Sequence, residues 1–436
     1  MNKFRSSMTR RATAMAKSAV ASDEPLVIDT REELLDALTE AVRIEHVLML
    51  QYLYAAFSIK RSTSEGLTDA QQEKTRDWER RILEIALDEM THLGTACNLL
   101  SAVGGRPDFT RPNFPQAASP WYPFPFELAK LSDPCLVRFI RAESPPSAQA
   151  AALEGIAPDP LSFSYVGDLY RAIAAGFETI DAAFARSGDP RKRLFIGRPE
   201  AQAPTGWALN FKIFTITDVA SAKAAIDYIV RQGEGTASGS EPSHYGTFRG
   251  ILAELRQARQ QDPSFEPARD VVSNPSTRPE RDAAAGATII AESSIAHPVA
   301  ELLSHTYSTM LMMLSTYFDP AGEATEARAT LQICSRGLMS GIVRPIAEVL
   351  STLPATADDR GPRAGAPFEI YGDLGLPAYA PGRLAIIAER LEIEANECKR
   401  LAELDPGLTR LRFLAGNYAS ASARLASLLA GGGSIP

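Results

Sequence analysis

The stretch Leu83–Leu100, LEIALDEMTHLGTACNLL, constrains the chain most. Its spacing predicts a helix on which Ile82, Ile85, Glu89, His92, Ala96 and Leu99 form one stripe, because residues three and four apart stack on a helix surface. That stripe is apolar except at Glu89 and His92, where a packed core would want leucine. A carboxylate among apolar neighbours is costly unless something pairs with it, and a metal ion is a common partner. Glu-x-x-His on an inward face is half of a ligand set in four-helix di-metal bundles. Alone the pattern is weak, so the other helices must supply the rest.

The preceding segment has the same character. A helix over about Thr30–Lys60, capped by Thr30 or Asp29 with Glu32 and Glu33 in its first turn, turns Leu38, Val42, Glu45, Tyr52 and Ala56 inward. Glu45 interrupts this stripe as Glu89 does the next, and Tyr52 lies on the same face two turns on. His46, one position round, is read as a secondary group or as exposed. STSEGLTDAQQ makes the turn into the second helix, Thr68–Val103, which Gly104-Gly105 ends. Both interrupted stripes sit mid-helix, so folding the hairpin brings Glu45 level with Glu89 and His92.

Arg106–Phe126 is rich in Pro and aromatics and cannot be one regular helix, because Pro lacks the donor and clashes with the preceding turn. It reads as an ordered crossover, followed by a short helix (Leu128–Ala142) and a loop. A third long helix, about Ser164–Arg186, carries Asp168 and Glu178 as the acids that could face inward. Leu209–Ile216 is β-prone. A fourth helix starts near Asp218, breaks at GEGTASGSEPSHYGTF and resumes near Tyr245. Glycines there are expensive in a helix, so the break is expected to bring Glu234 and His244 together and to gate a pocket. A polar 257–290 linker then leads to a C-terminal helical region, 291–436, with helices at Val299–Phe318, Glu326–Leu350, Ala380–Glu403 and Leu408–Leu429. In it Met310–Leu314 and His305 read as core. Residues 1–28 read as a mobile basic arm and 29–256 as the bundle.

One carboxylate from the first helix, Glu-x-x-His from the second, an acid from the third, and a Glu and a His from the fourth make the inventory of a four-helix di-metal carboxylate site. With five histidines in the chain, two at corresponding places is informative. Imidazole with carboxylate and no thiolate suits iron, or manganese as the alternative, more than structural zinc. The expected fold is therefore all-α, a ferritin-like bundle with added C-terminal helices. A net charge of −8 gives no support to nucleic-acid binding. No apolar run approaches the ~18 residues of a membrane span. Four scattered cysteines without CxxC spacing read as free thiols in a reducing cytoplasm.

EHVLMLQYLYAAFS, LDEMTHLGTACNLL, VGDLYRAI and QGEGT…SHY resemble the ferritin-like domain of the iminophenyl-pyruvate dimer synthases of bis-indole pigment pathways. LLSHTYSTMLMMLSTYF, IVRPIAEVLSTLP and APFEIYG are similar to the same family's C-terminal part, so the resemblance spans about Arg31–Ile393. It implies a di-iron bundle and oxidative chemistry on small amino-acid-derived substrates. It carries ligand status to Glu45, Glu89, His92, Glu234 and His244, and to Asp168 in VGDLY. There a Glu is expected in relatives, and Glu178 is the alternative. The expected function is an oxygen-dependent oxidase or oxygenase of an amine, imine or indole-type substrate in secondary metabolism, with two irons per chain. Tyr52 and Tyr54 are candidate radical or proton relays, and Trp121 and Tyr122 candidate pocket walls. The implied partners are that small molecule and dioxygen; a homodimer is left open. The competing reading is an iron-binding protein with a ferroxidase or storage role and no organic substrate.

Overall fold

The computed structural model describes residues 26–119, 125–145, 166–207, 211–235, 242–319, 324–372 and 374–431. Most of the basic arm, Trp121 and Tyr122, most of the 143–162 loop and the glycine-rich 236–241 segment therefore lie outside the described residues.

Helix α1 (Arg31–Ser58) begins with a capping box in which the Thr30 hydroxyl accepts from Glu33 N–H and the Glu33 carboxylate returns to the Thr30 backbone. Helix α2 (Asp69–Ala102) begins the same way with Thr68 and Gln71. Between them Gly66 takes φ 84°, and Gly104 at φ 91° follows the end of α2. The two helices form a tightly packed hairpin. Its buried faces include Leu38, Val42, Glu45, Leu48 and Tyr52 on α1 and Ile82, Ile85, Glu89, His92, Ala96 and Leu99 on α2.

Around this hairpin pack α3 (Asp133–Ala142), α4 (Val166–Ser187), α5 (Val219–Glu234) and α6 (His244–Gln261). Helix α4 lies on α1 and α5, α5 and α6 touch α2, and α3 packs on α6. The break expected in the fourth helix is present: α5 ends at Glu234, Gly235 takes φ 88°, and Ser243 caps α6 at His244. Helix α6 runs past Arg256 to Gln261, because Leu255 and Ala258 still bury an apolar face.

The β-prone segment does not become a strand where it is described, at 211–216. Side chains satisfy its backbone instead of a sheet partner. Asn98 Nδ2 donates to Phe214 O at 2.7 Å, and Gln202 brackets Ile216 through both its N–H and its C=O at 2.7 Å. Residues 265–290 run across the end of α1. Lys60 N–H donates to Pro267 O and Arg269 N–H to Ser58 O, each at 2.8 Å. A two-residue parallel ladder, Pro275–Ser276 with Thr288–Ile289, is the sheet found among the described residues.

The C-terminal helices are α7 (Ala296–Tyr317), α8 (Thr325–Leu338), α9 (Arg344–Leu350), α10 (Ala380–Leu404) and α11 (Thr409–Gly431). The helix expected over Glu326–Leu350 contains a π turn at Met339–Val343. Pro345 has no N–H for Gly341 O, and Asn417 Nδ2 donates to that carbonyl at 2.9 Å. Met310, Met312 and Met313 are buried, as core packing requires. His305, read as core, is instead exposed beside the Tyr371 ring. Behind α1 and α2, an apolar cavity of ≈ 80 Å³ is lined by His46, Met49, Met90, Trp207 and Met310 and holds none of the clustered acids. Among the described residues no helix is long and apolar enough to cross a membrane.

Candidate metal centre

Five buried side chains converge at the heart of the bundle. Two groups, Glu45–Glu89–His92 and Glu89–Glu143–His244, each offer three ligand atoms lying within 4.8 Å of one another. Glu89 belongs to both. His92 Nδ1 is 3.3 Å from Glu89 Oε2 and 3.7 Å from Glu45 Oε2. His244 Nδ1 is 3.0 Å from Glu89 Oε1 and 3.7 Å from Glu143 Oε2. The two imidazole centroids are 5.6 Å apart.

Both rings are oriented from behind. His92 Nε2 bonds to Gln232 Oε1 at 2.8 Å and His244 Nε2 to Asp88 Oδ2 at 3.3 Å. Those oxygens accept, so each Nε2 donates a proton outward and each Nδ1 faces the carboxylates, where it would give its lone pair to an ion in exchange for its proton, the orientation typical of metal-ligating histidine. Two of the carboxylates are held too. The Tyr170 hydroxyl donates to Glu45 Oε1 at 2.6 Å, and the Tyr52 hydroxyl donates to Glu143 Oε1.

Glu45 and Glu89, this close and this buried, cannot both ionise unaided. Burial, and then the neighbouring Glu89, push the Glu45 carboxyl up to about 8. Burial works the same way on Glu89, but His92 and His244 outweigh it and hold that carboxyl below its ordinary range. Burial would lower His92, yet Glu89 and Glu45 raise it to about 10. His244 is raised by Asp88, Glu143 and Glu89 against the same burial. Even so, His244 Nδ1 has no hydrogen bond of good geometry despite its burial. The donor set is oxygen and imidazole, with a small cavity of ≈ 30 Å³ between the groups. This fits divalent iron or manganese.

The sequence candidates fall into distinct places. Glu45, Glu89, His92 and His244 come together. Glu234 lines the same cavity but accepts from Arg171 Nη1 at 3.1 Å and 3.3 Å. Asp168 is outside the cluster: Gly167 and Tyr170 face inward, so Asp168, about 100° round the helix from Gly167, pairs with Arg171 at 2.6 Å near the surface. Glu178 is exposed and paired with Lys223. Tyr52 touches the cluster through Glu143, whereas the Tyr54 hydroxyl donates to Val272 O. His46 is buried, not exposed, and its Nε2 bonds to the Tyr307 hydroxyl.

Glu143 was absent from the sequence candidates because it follows α3 in a segment read as loop. Its signal was present. Leu136, Phe139 and Ile140 precede it by seven, four and three, the same apolar stripe with one carboxylate that marked Glu45 and Glu89.

Residues 38–253 match the family model described as Ferritin-like, and this part of the chain is a ferritin-like domain. Two curated relatives extend the likeness. Dichlorochromopyrrolate synthase of Lentzea aerocolonigenes is 28% identical over 91% of this chain and 42% of its own length. The 2-imino-3-(indol-3-yl)propanoate dimerase of Chromobacterium violaceum is 29% identical over 88% of this chain and 38% of its own. The chain thus spans about two fifths of the length of these curated relatives. A crystal structure of a ferritin-like protein from Caulobacter vibrioides aligns with 79% of this chain and all of its own at 18% identity, with a TM-score of 0.48.

Proposed function

We propose that this protein is a ferritin-like di-iron oxidase of a small indole- or amino-acid-derived acid in secondary metabolism. The observation that carries the reading is the pair of buried triads sharing Glu89, each with one imidazole Nδ1 aimed at carboxylates. Glu45, Glu89 and His92 would hold one ion, and Glu89, Glu143 and His244 the other, with Glu234 as a sixth donor lining the same cavity. Bound iron would supply the redox chemistry by which dioxygen takes electrons from a substrate. The name of the Chromobacterium violaceum relative supplies the substrate class, an indole-bearing imino acid.

The chain's own residues do the remainder. Tyr170 and Tyr52 keep hydroxyl protons against Glu45 and Glu143, fixing those carboxylates and offering a proton at each. Helices α1, α4 and α5 supply apolar walls to the cavity through Leu48, Val166, Ile229 and Val230. Tyr54, bonded to the 265–290 segment, serves packing in this reading.

The test is oxygen consumption by the iron-loaded protein with and without indole-3-pyruvate plus ammonia, which together form the imine. Uptake that depends on the organic substrate and persists over many turnovers is the expected result. Uptake that occurs with ferrous ion alone and stops once the added iron is oxidised would instead establish a ferroxidase.

A further inference from the structure

At the mouth of the metal cavity stands one guanidinium that the cluster itself does not use. Arg171, one turn after Gly167 on α4, points its Nη1 at both oxygens of Glu234, at 3.3 and 3.1 Å. Its Nη2 reaches Glu234 Oε1 at 3.3 Å and Asp168 Oδ1 at 2.6 Å. The Glu234 side chain is 11% exposed and that of Arg171 41%, so the fork opens from the cavity towards solvent. Backbone has been cleared to make the room. A Cβ on Gly167 would lie 1.6 Å from Glu234 Oε1 and 3.2 Å from Arg171 Nη1. Gly167 and Glu234 both line the cavity that holds Glu45, Glu89, His92 and Glu143.

We infer that Arg171 is the docking point for the carboxylate of the substrate, and that Glu234 is the exchangeable group occupying that fork in the structure. The inference rests on the oxidase reading above and adds to it the group that selects an acid. Guanidinium binds carboxylate through paired N–H donors in one plane, which gives direction as well as charge. Here the chain's own carboxylate demonstrates the fit.

The charge at the centre supplies the reason for exchange. Three buried carboxylates, Glu45, Glu89 and Glu143, against two divalent ions would leave one positive charge over. Glu234 is a further carboxylate bordering the same cavity, and bound ions would offer it a partner in place of Arg171. Asp168 keeps its hold on Nη2, so the guanidinium stays in place with its other donors facing the mouth. An incoming carboxylate would then sit on Arg171 at the mouth, with its organic part outside the ≈ 30 Å³ cavity between the triads. A neutral analogue gains nothing from the fork.

The experiment compares indole-3-acetate with indole-3-acetamide, which match in shape and differ in charge, by calorimetric titration of the manganese-loaded full-length protein. The wild type is expected to bind the acid at least tenfold more tightly than the amide. Arg171→Gln should bind the two equally, and Arg171→Lys should retain part of the preference. Metal content should be two ions per chain in all three. In metal-free protein, Glu234→Gln should bind the acid several-fold more tightly than wild type, because the occupant of the fork is gone. Equal binding of acid and amide by the wild type, or an undiminished preference in Arg171→Gln, overturns the assignment while the oxidase reading stands. Binding of neither compound to the wild type overturns the organic-substrate reading and this inference with it.

Discussion

The sharing of Glu89 between two triads makes an asymmetric prediction about metal stoichiometry. Glu143→Ala reduces the second triad to Glu89 and His244 and leaves Glu45, Glu89 and His92 intact. Glu89→Ala takes one ligand from each triad. The first variant should retain about one ion per chain and the second essentially none. Loss of an outer-shell partner alone typically weakens metal affinity about 10–100-fold, so loss of a direct ligand should cost the affected ion about 100-fold or more. Glu143→Ala also removes the bond that the Tyr52 hydroxyl donates to Glu143 Oε1, at a cost of about 1 kcal/mol in folding stability. The assay is metal analysis after gel filtration, with far-ultraviolet circular dichroism to establish retained helicity. Two ions in Glu143→Ala, or one in Glu89→Ala, would refute the shared-ligand arrangement.

Two further outcomes follow from groups outside the centre. Glu394, buried on α10 with the Thr309 hydroxyl on its Oε1, is pushed up to about 7 by burial from an ordinary value of 4.5. A carboxyl whose folded pKa is raised contributes most below its unfolded pKa, and that contribution fades as pH climbs through the folded value. Wild type should therefore lose about 3 kcal/mol of stability between roughly pH 4.5 and 7 from this group. Glu394→Gln should flatten that part of the profile in urea titrations, and parallel profiles for the two proteins would contradict it. Tyr54→Phe removes one bond to Val272 O and should cost about 1 kcal/mol, with metal content and turnover unchanged. A fall in turnover at constant metal content would return Tyr54 to the reaction.

Much of the architecture was legible because its determinants are local. Thr30 with Glu33 and Thr68 with Gln71 mark helix starts, and Gly104 and Gly235 mark ends with the backbone sign that glycine tolerates. Glu45 and Glu89 stood out for a related reason: one charge in an otherwise apolar stripe is visible in one dimension. The segment 211–216 was not legible in this way. Its alternation suits a strand, but Asn98 and Gln202, more than a hundred and about fourteen residues earlier, decide that its backbone bonds to side chains. No local signal encodes such a choice.

The third helix illustrates the more instructive difference. Family likeness placed VGDLY at a ligand position and so nominated Asp168, but the helical period alone sets Gly167, Tyr170, Ile173 and Phe177 on the buried face. It sets Asp168, Arg171 and Glu178 on an outer, polar stripe, where each finds a surface partner. Tyr170, two residues on from Asp168, is the member of that motif that reaches the centre, through Glu45. The carboxylate that joins His244 comes instead from Glu143 at the end of α3, a helix too short to be counted among the four in a sequence reading. Its turn of backbone is fixed by packing against α6, which begins with His244 itself. The second triad is thus assembled from the end of one helix and the start of another, and its geometry depends on a contact about a hundred residues apart in the chain. Periodicity can nominate each residue separately, but only the packing of α3 on α6 brings them to one ion.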